Sequence, residues 1–376
     1  MNSQNPEKMI PIFNEQRHIK KSLLNIRDKI QDHQRLSFED GLSLINENSP
    51  EHINFIIRLA DQIRQERVGD IVFYSSTLYL YPTNLCVFNC SFCSFYAKQK
   101  TNPNAWFYSP HELVEKLKPY LESIEEVHIV SGCHPKCDLD YYSSLFSLIK
   151  EQNPRLHIKG LTAIEYDYLT KLHNISLTTV FLTLKKAGLD SLPGGGAEIL
   201  TDAVRQRISP QRISSQEFLN VHRTAHQCGI RSNITLLFNH IESPTDIISH
   251  LESVRATQDD TGGFKTLIPL KFAEHGNALG KLLRKRRHRL QIPINLLFAV
   301  SRLFLENVPN IKALWNYLGL ETALNLLSCG ANDLSSTHTG EKVFKMSYDG
   351  EVITMNPAGM EALIIKKGKI PCRTGS

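Results

Sequence analysis

Between residues 1 and 70 apolar positions recur three or four apart, the period of helices with one buried face. "HIKKSLLNIRDKI" sets Ile19, Leu23, Leu24 and Ile26 near one face. "SFEDGLSLINE" opens on Ser37 as an N-cap and puts Glu39 and Asp40 in the first turn, where negative charge complements the helix dipole. "INFIIRLADQIRQERVG" keeps the period and stops at Gly69. From Ile71 the texture changes. "IVFYSSTLYLYPT", "EVHIVSG", "RLHIKGL", "RSNITLLF" and "FKTLIPLKF" read as strands. "SPHELVEKLKPYL", "DYYSSLFSLIKEQ", "YDYLTKL", "TTVFLTLKKAG", "SQEFLNVHRTAHQCG" and "DIISHLESVRATQDD" read as the helices between them. This alternation predicts an α/β fold of parallel strands joined by crossover helices.

Polar residues stand repeatedly where a strand ends, and no glycine-rich dinucleotide turn follows the first strand. Both points favour a TIM-like (β/α) barrel over an open doubly wound sheet. The expected organisation is an N-terminal helical segment (1–70), a barrel core (71–340) with helical additions, and a C-terminal extension (341–376) packed on the barrel. "INLLFAVSRLFLENV", the most apolar stretch, is interrupted by Arg302 and Glu306 and reads as a buried helix, not a membrane span.

Composition adds little but excludes some classes. With 41% hydrophobic and 22% charged residues the chain can bury a large core, so it is not a disordered or fibrous protein. A net charge of +5, with basic and acidic residues interleaved, does not point to a nucleic-acid partner. The basic run Lys281–Arg289 lacks aromatic interleaving and reads as a solvated face. The polar start "MNSQNPEKMI" has no apolar signal core, and eight scattered cysteines form no disulfide framework; a reducing cytoplasm is the expected location.

Chemistry concentrates in "YPTNLCVFNCSFCSFYAK", where Cys86, Cys90 and Cys93 fall on one tight loop. A structural zinc site wants four ligands, usually two paired sets, and the next cysteines, Cys133 and Cys137, stand far along the chain. A four-iron cluster held by three thiolates leaves one iron open. Plain reduced thiols are the remaining reading.

Cx3Cx2C after the first strand of an α/β barrel resembles the motif of the radical S-adenosylmethionine (SAM) enzymes. In them SAM occupies the unique iron through its methionine amino and carboxylate groups. The likeness continues, in order, through "EVHIVSGCHP", "HIKGLTAIEYDYL", "LKKAGLDSLPGGGAEIL", "HRTAHQCGIRSNITLLFNHIE", "DDTGGFKTLIPL" and "CGANDLSSTHTGEKV". It covers about residues 35–365 and resembles the menaquinone-pathway radical SAM family, which includes aminofutalosine synthase, dehypoxanthine futalosine cyclase and the deazaflavin-cofactor synthase subunits. "LSFEDGLSL", "HRTAHQCGIRSN" and "NIKALWNYLG" are most similar to aminofutalosine synthases. The resemblance implies a [4Fe-4S] cluster on Cys86, Cys90 and Cys93, and SAM as radical source and co-substrate. The reaction it implies is addition of the 5′-deoxyadenosyl radical to 3-[(1-carboxyvinyl)oxy]benzoate, giving 6-amino-6-deoxyfutalosine with loss of bicarbonate or CO2. Ring closure by the cyclase is the alternative on the same scaffold, and a zinc- or RNA-binding module is the alternative from another class. A small-molecule substrate, an external one-electron donor such as flavodoxin or ferredoxin, no nucleic acid and no membrane span complete the expected partners.

The remaining candidates carry two readings each. Phe92 is expected near the cluster and adenine. Ser131 and Gly132, where the family has a Gly-Gly-x-His-Pro pattern, are a SAM-contacting turn or an ordinary strand-end turn, with Gly132 allowing close backbone approach. Thr162 and Glu165 suit a ribose or ammonium group, or a helix start. Gly194, Gly195 and Gly196 bring backbone against an anion or make a tight turn, with Glu198 as polar partner. Asn84, Asn233, His240 and Glu242 are substrate-pocket candidates. His134, Asp333 and Arg207 are the catalytic candidates: His134 facing substrate, Asp333 at a turn, and Arg207 pairing with a substrate carboxylate or lying on the surface. The family carries Gly where Asn239 stands and Gly-Thr where Ser335-Ser336 stand.

Overall fold

A computed structural model describes residues 18–98, 102–285, 291–337, 346 and 355–374. Three helices lead the chain: α1 (Lys21–Gln31), α2 (Phe38–Ile45) and α3 (Pro50–Val68). Ser37 caps α2 as expected, its hydroxyl accepting the Asp40 N–H while the Asp40 carboxylate accepts the Ser37 N–H.

The run "IVFYSSTLYLYPT" is not one strand. β1 (Ile71–Ser75) and β2 (Thr77–Leu80) belong to different sheets and part at Ser76. Ser76 is held from both sides: its N–H donates to the Glu125 carboxylate at 2.8 Å, and its hydroxyl meets that of Thr337 at 2.8 Å. Neither partner is local, so the bend is tertiary in origin.

After β2 the alternation runs as expected. α4 (Pro110–Leu117) leads to β3 (Glu126–Ile129), and α5 (Leu139–Gln152) to β4 (His157–Gly160). Then come α6 (Ala163–His173), α7 (Leu177–Ala187), β5 (Ser191–Leu192), α8 (Asp202–Ile208) and α9 (Ser215–Gln227). β6 (Arg231–Phe238), α10 (Pro244–Thr261) and β7 (Phe264–Lys271) follow. α11 (Ala278–Leu283) and α12 (Ile294–Phe304) precede β8 (Asn310–Ile311); α13 (Trp315–Leu318) and α14 (Leu320–Leu326) precede β9 (Asp333–Ser336). α15 (Pro357–Lys366) and β10 (Ile370–Arg373) end the described chain.

Strands β2 to β8 form one seven-stranded, all-parallel sheet in sequence order, curled into a partial barrel. A second parallel sheet has the order β10-β1-β9. β9 also links back to β8: Asn332 N–H donates to Ile311 O at 3.1 Å and Ala313 N–H to Asp333 O at 2.8 Å. Because β1 runs on into β2, this brings the two edges of the curled sheet together through β9.

α12 is buried along its length from Leu296 to Phe304 and packs on α3. Arg302, which interrupts its apolar pattern, is itself buried. Its guanidinium donates to Gly330 O (2.8 Å), Pro309 O (3.0 Å) and the Asn332 side chain (2.8 Å). Burial lowers its pKa to about 9. No helix among the described residues is long and apolar enough to cross a membrane.

Candidate active site

The cysteine loop leaves the C-terminal end of β2 and is tied down by its neighbours. Thr83 Oγ1 donates to Trp106 O at 2.6 Å, Cys86 N–H to Ala97 O at 3.1 Å, and Ser91 N–H to Ile208 O at 2.8 Å. Asn84 is buried as a brace, its amide donating to Asn104 O (2.9 Å) and its oxygen accepting the Trp106 N–H (3.0 Å). It does not line the cavity below. Gly132 packs against the loop: a Cβ there would lie 2.3 Å from Leu85 O. The close backbone approach expected at Gly132 is present, and it is made to the cysteine loop's own backbone.

All three loop cysteines are free, with Cys90 buried and the others half-buried. A hydrogen bond from the Cys133 thiol lowers the Cys86 pKa to about 6, while burial pushes Cys90 up to about 11 and raises Cys93. Arg212 supplies the local positive charge. Its guanidinium lies over the Phe92 ring at 5.2 Å and pairs with Glu198 at 2.5 Å. Burial works against that charge, but Cys90, Glu198 and Cys93 together raise the Arg212 pKa above its ordinary value.

The donor set, three thiols on one loop, is of the kind a four-iron cluster takes. Among the described residues no three His, Cys, Asp or Glu side chains converge to hold one metal ion. A four-iron cube spreads its ligands over separate corners, and three thiols on one loop leave the fourth corner open.

Beneath the loop a cavity of about 300 Å³ runs into the curled sheet. Its outer part is lined by Ser131, Thr162, Glu165, the Gly194–Gly196 turn and Arg212. Glu165 is both helix cap and wall: it accepts from Thr162 N–H (2.7 Å), Thr162 Oγ1 (2.8 Å) and Ser131 N–H (2.9 Å). Burial outweighs those bonds and raises its pKa to about 7. Gly194 has its own reason: a Cβ would fall 2.5 Å from the Ile234 backbone, and its carbonyl accepts from Thr235 Oγ1 at 2.8 Å.

The inner part is built by strand alternation, which points residues two apart into the lumen. β2 contributes Thr77 and Tyr79, followed by Tyr81; β3 contributes Glu126 and His128; β4 contributes Lys159; Asn233 and Thr235 come from β6. Lys312, just past β8, joins them. Lys159 and Glu126 form a 2.8 Å ion pair with both side chains under 5% exposed. Burial would raise the Glu126 carboxyl, but Lys159, His157 and His128 hold it far below the carboxylate range. Burial lowers Lys159 to about 8 and His128 to about 3.

Of the residues singled out in the sequence, Ser131, Thr162, Glu165, Gly194, Gly195, Gly196 and Asn233 line this cavity, and Glu198 supports it through Arg212. Others do not reach it. Arg207 is exposed on α8; Arg212 is the arginine that enters. His134 Nδ1 accepts the Lys136 N–H at 3.2 Å and its ring packs 5.5 Å from Phe107, within a turn outside the lining. Asp333 faces a smaller cavity, paired with Lys312 at 3.2 Å and accepting the Ser335 N–H at 2.7 Å. His240 and Glu242 close a local turn after β6, with Glu242 accepting the His240 N–H at 2.8 Å. Sequence reasoning missed Arg212, Tyr79, Tyr81, Glu126, His128, Lys159 and Lys312. The available signal was a polar residue at alternate positions inside short apolar strands.

Asn239 and Ser335 have φ of 64° and 74°, the left-handed backbone that favours glycine, the residue the resemblance leads one to expect at both places. In the basic run, Arg284 donates to Glu274 O at 2.6 Å, and residues 286–290 lie outside the described residues.

Residues 80–254 match the Radical SAM superfamily, and residues 261–373 match the CofH/MqnC C-terminal region. The chain is 34% identical over 350 residues to the aminodeoxyfutalosine synthase of Thermus thermophilus, covering 93% of each chain. It is 33% identical to a 5-amino-6-(D-ribitylamino)uracil–L-tyrosine 4-hydroxyphenyl transferase of Methanopyrus kandleri, covering 84% of this chain and 86% of that one. Among solved structures, methylornithine synthase superposes with a TM-score of 0.73 at 18% identity, over 93% of this chain and 97% of the other, a likeness of fold.

Proposed function

The chain belongs to the radical SAM superfamily, in the group that contains the aminodeoxyfutalosine synthases, and from that premise we propose that it makes 6-amino-6-deoxyfutalosine for menaquinone biosynthesis. The substrates are SAM and 3-[(1-carboxyvinyl)oxy]benzoate. The 5′-carbon of the adenosyl group becomes bonded to the vinyl CH2, and methionine and one carboxylate carbon, as bicarbonate or CO2, leave. The observation that carries this reading is a single cavity that begins at Arg212, beside the cysteine loop, and continues along an aromatic wall of Phe95, Tyr81 and Tyr79.

When bound, a [4Fe-4S] cluster on Cys86, Cys90 and Cys93 supplies the single electron that splits the SAM sulfonium; flavodoxin or ferredoxin is the proposed donor to it. The chain's own residues do the rest. Ser131, Thr162 and Glu165 line the cavity near the cysteine end and offer a polar wall to the amino and ribose groups of SAM. Phe95 walls that end, with its ring 5.4 Å from Trp106 and 5.4 Å from Tyr81. Tyr81 and Tyr79, nearly parallel with centroids 6.4 Å apart, hold an aryl ring in line.

A second reading has its own support, because transferases that carry a 4-hydroxyphenyl group match at nearly the same identity. Both readings need an aromatic substrate beside the tyrosines. Ring closure of dehypoxanthine futalosine is the third. Anaerobically reconstituted enzyme, incubated with SAM, a reductant and each substrate in turn, separates them by mass spectrometry. Aminofutalosine from the enolpyruvyl benzoate is the expected product. A tyrosine-derived adduct or a cyclised nucleoside in its place overturns the first reading.

A further inference from the structure

The inner end of the cavity carries charge that the chemistry at its cysteine end does not use. Tyr79, His128 and Lys159 stand side by side, since Tyr79 pairs with His128 across β2 and β3 and His128 with Lys159 across β3 and β4. Lys159 is paired with Glu126, and Lys312 with Asp333. Lys265, on the far side of Lys312, acts on the same group: both lysines push the Lys159 pKa down. Two lysines and two carboxylates thus meet in two ion pairs, and the Lys265 charge stands nearby, outside the cavity lining.

His128 points to what fills the space. Its Nε2 is buried with no hydrogen-bond partner, on a ring that lines the cavity. A buried polar atom left unpaired is costly, and a ligand atom meeting it removes that cost. Its ring lies 5.0 Å from Tyr79, at the inner end of the Tyr79–Tyr81–Phe95 wall. An anion at this point therefore comes attached to something flat.

We propose that the inner end is a carboxylate subsite, in which Lys159, Lys312 and the Nε2–H of His128 receive the ring carboxylate of an aromatic acid lying along Tyr79 and Tyr81. This rests on the benzoate substrate proposed above and deepens it. It orients the substrate: the carboxylate is anchored deep in the sheet, and the enol ether is turned toward the cysteine loop. A benzoate whose acid group is neutralised loses the anchor. His128 and Lys312 are positioning and specificity residues for that ring.

The test uses the reconstituted, SAM-loaded enzyme under anaerobic conditions, with 3-hydroxybenzoate and its uncharged counterpart 3-hydroxybenzamide as probes, titrated by calorimetry. The benzoate is expected to bind at least about tenfold more tightly, a difference of about 1.4 kcal/mol. His128→Phe and Lys312→Met are each expected to shrink that preference to about threefold or less, with cluster absorbance and SAM binding as controls for loading. Equal binding of the two probes by the wild type overturns the subsite, even if the enolpyruvyl benzoate is converted to aminofutalosine. A preference that survives both substitutions overturns it too. If the preference is present and depends on both residues while the enolpyruvyl benzoate is not converted, the subsite stands and the reaction assigned above falls. Should Lys312→Met fail to fold for want of its pairing with Asp333, His128→Phe, which removes no charge from the neutral site, decides the matter.

Discussion

The two ends of the cavity are assembled by opposite means. The outer end abuts the thiols of Cys86, Cys90 and Cys93, on one short loop braced by Asn84, Thr83 and the Gly132 turn. The inner end collects Tyr79, Glu126, His128, Lys159 and Lys312 from strands β2, β3 and β4 and the segment after β8. A contiguous loop carries its chemistry in its spacing. A lumen carries it in strand register, where one residue of slip turns every side chain to the other face. The outer end is thus open to local damage, and the inner end to any change in how neighbouring strands meet.

The largest effect expected is from Cys90→Ala. It removes a proposed cluster ligand, so SAM cleavage falls by more than about a thousandfold, with the visible absorbance of the reconstituted cluster lost in parallel. Benzoate binding at the inner end persists, and its loss would show that the two ends are not separable. Next is Glu126→Gln, which strands the buried Lys159 ammonium and costs about 3–5 kcal/mol, read by denaturant unfolding. The double change Glu126→Gln with Lys159→Met removes both charges and costs less than the single one, a reversal that only a paired site produces. Gly132→Ala drives a methyl into the Leu85 carbonyl and costs about 1–3 kcal/mol. Its signature is poor cluster incorporation in a folded protein.

The fourth test is pH. His128 is held neutral in the fold, its pKa pushed down to about 3 by burial, whereas in the unfolded chain it protonates near the ordinary histidine value. The unfolded state therefore binds the extra proton first as pH falls. Stability from this group is complete above about pH 6.5 and lost toward pH 3, at about 1.4 kcal/mol per pH unit. His128→Asn lessens the acid slope by that amount in unfolding titrations; an unchanged slope would mean that His128 is not buried neutral. The smallest effect is Ser335→Gly. With φ at 74° serine is strained, and glycine relieves up to about 1 kcal/mol, visible as a small rise in Tm.

Local signals read well from the chain. The Ser37 cap, the strand–helix alternation and the buried helix of residues 294–304 all follow from spacing and composition within a dozen residues. Departures arise where a distant partner decides. Arg205, Arg207 and Arg212 look alike in "VRQRISPQR"; helix phase leaves Arg207 exposed, and the turn after α8 swings Arg212 under the cysteines. "IVFYSSTLYLYPT" reads as one strand because nothing in it shows that Glu125 and Thr337 will pin Ser76.

Sequence alone carried the resemblance to the family, in motifs spread along the chain, and it determined the three-thiol loop and the parallel α/β architecture, both written in short-range spacing. Tertiary structure alone decided that Lys159 meets Glu126, that Asp333 looks into the smaller cavity, and that His128, with a buried unpartnered nitrogen, lines the lumen. The physical reason is that alternation along a strand says only that residues two apart share a face. Which face becomes a wet lumen and which a dry core is settled when the sheet curls and neighbouring strands fall into register.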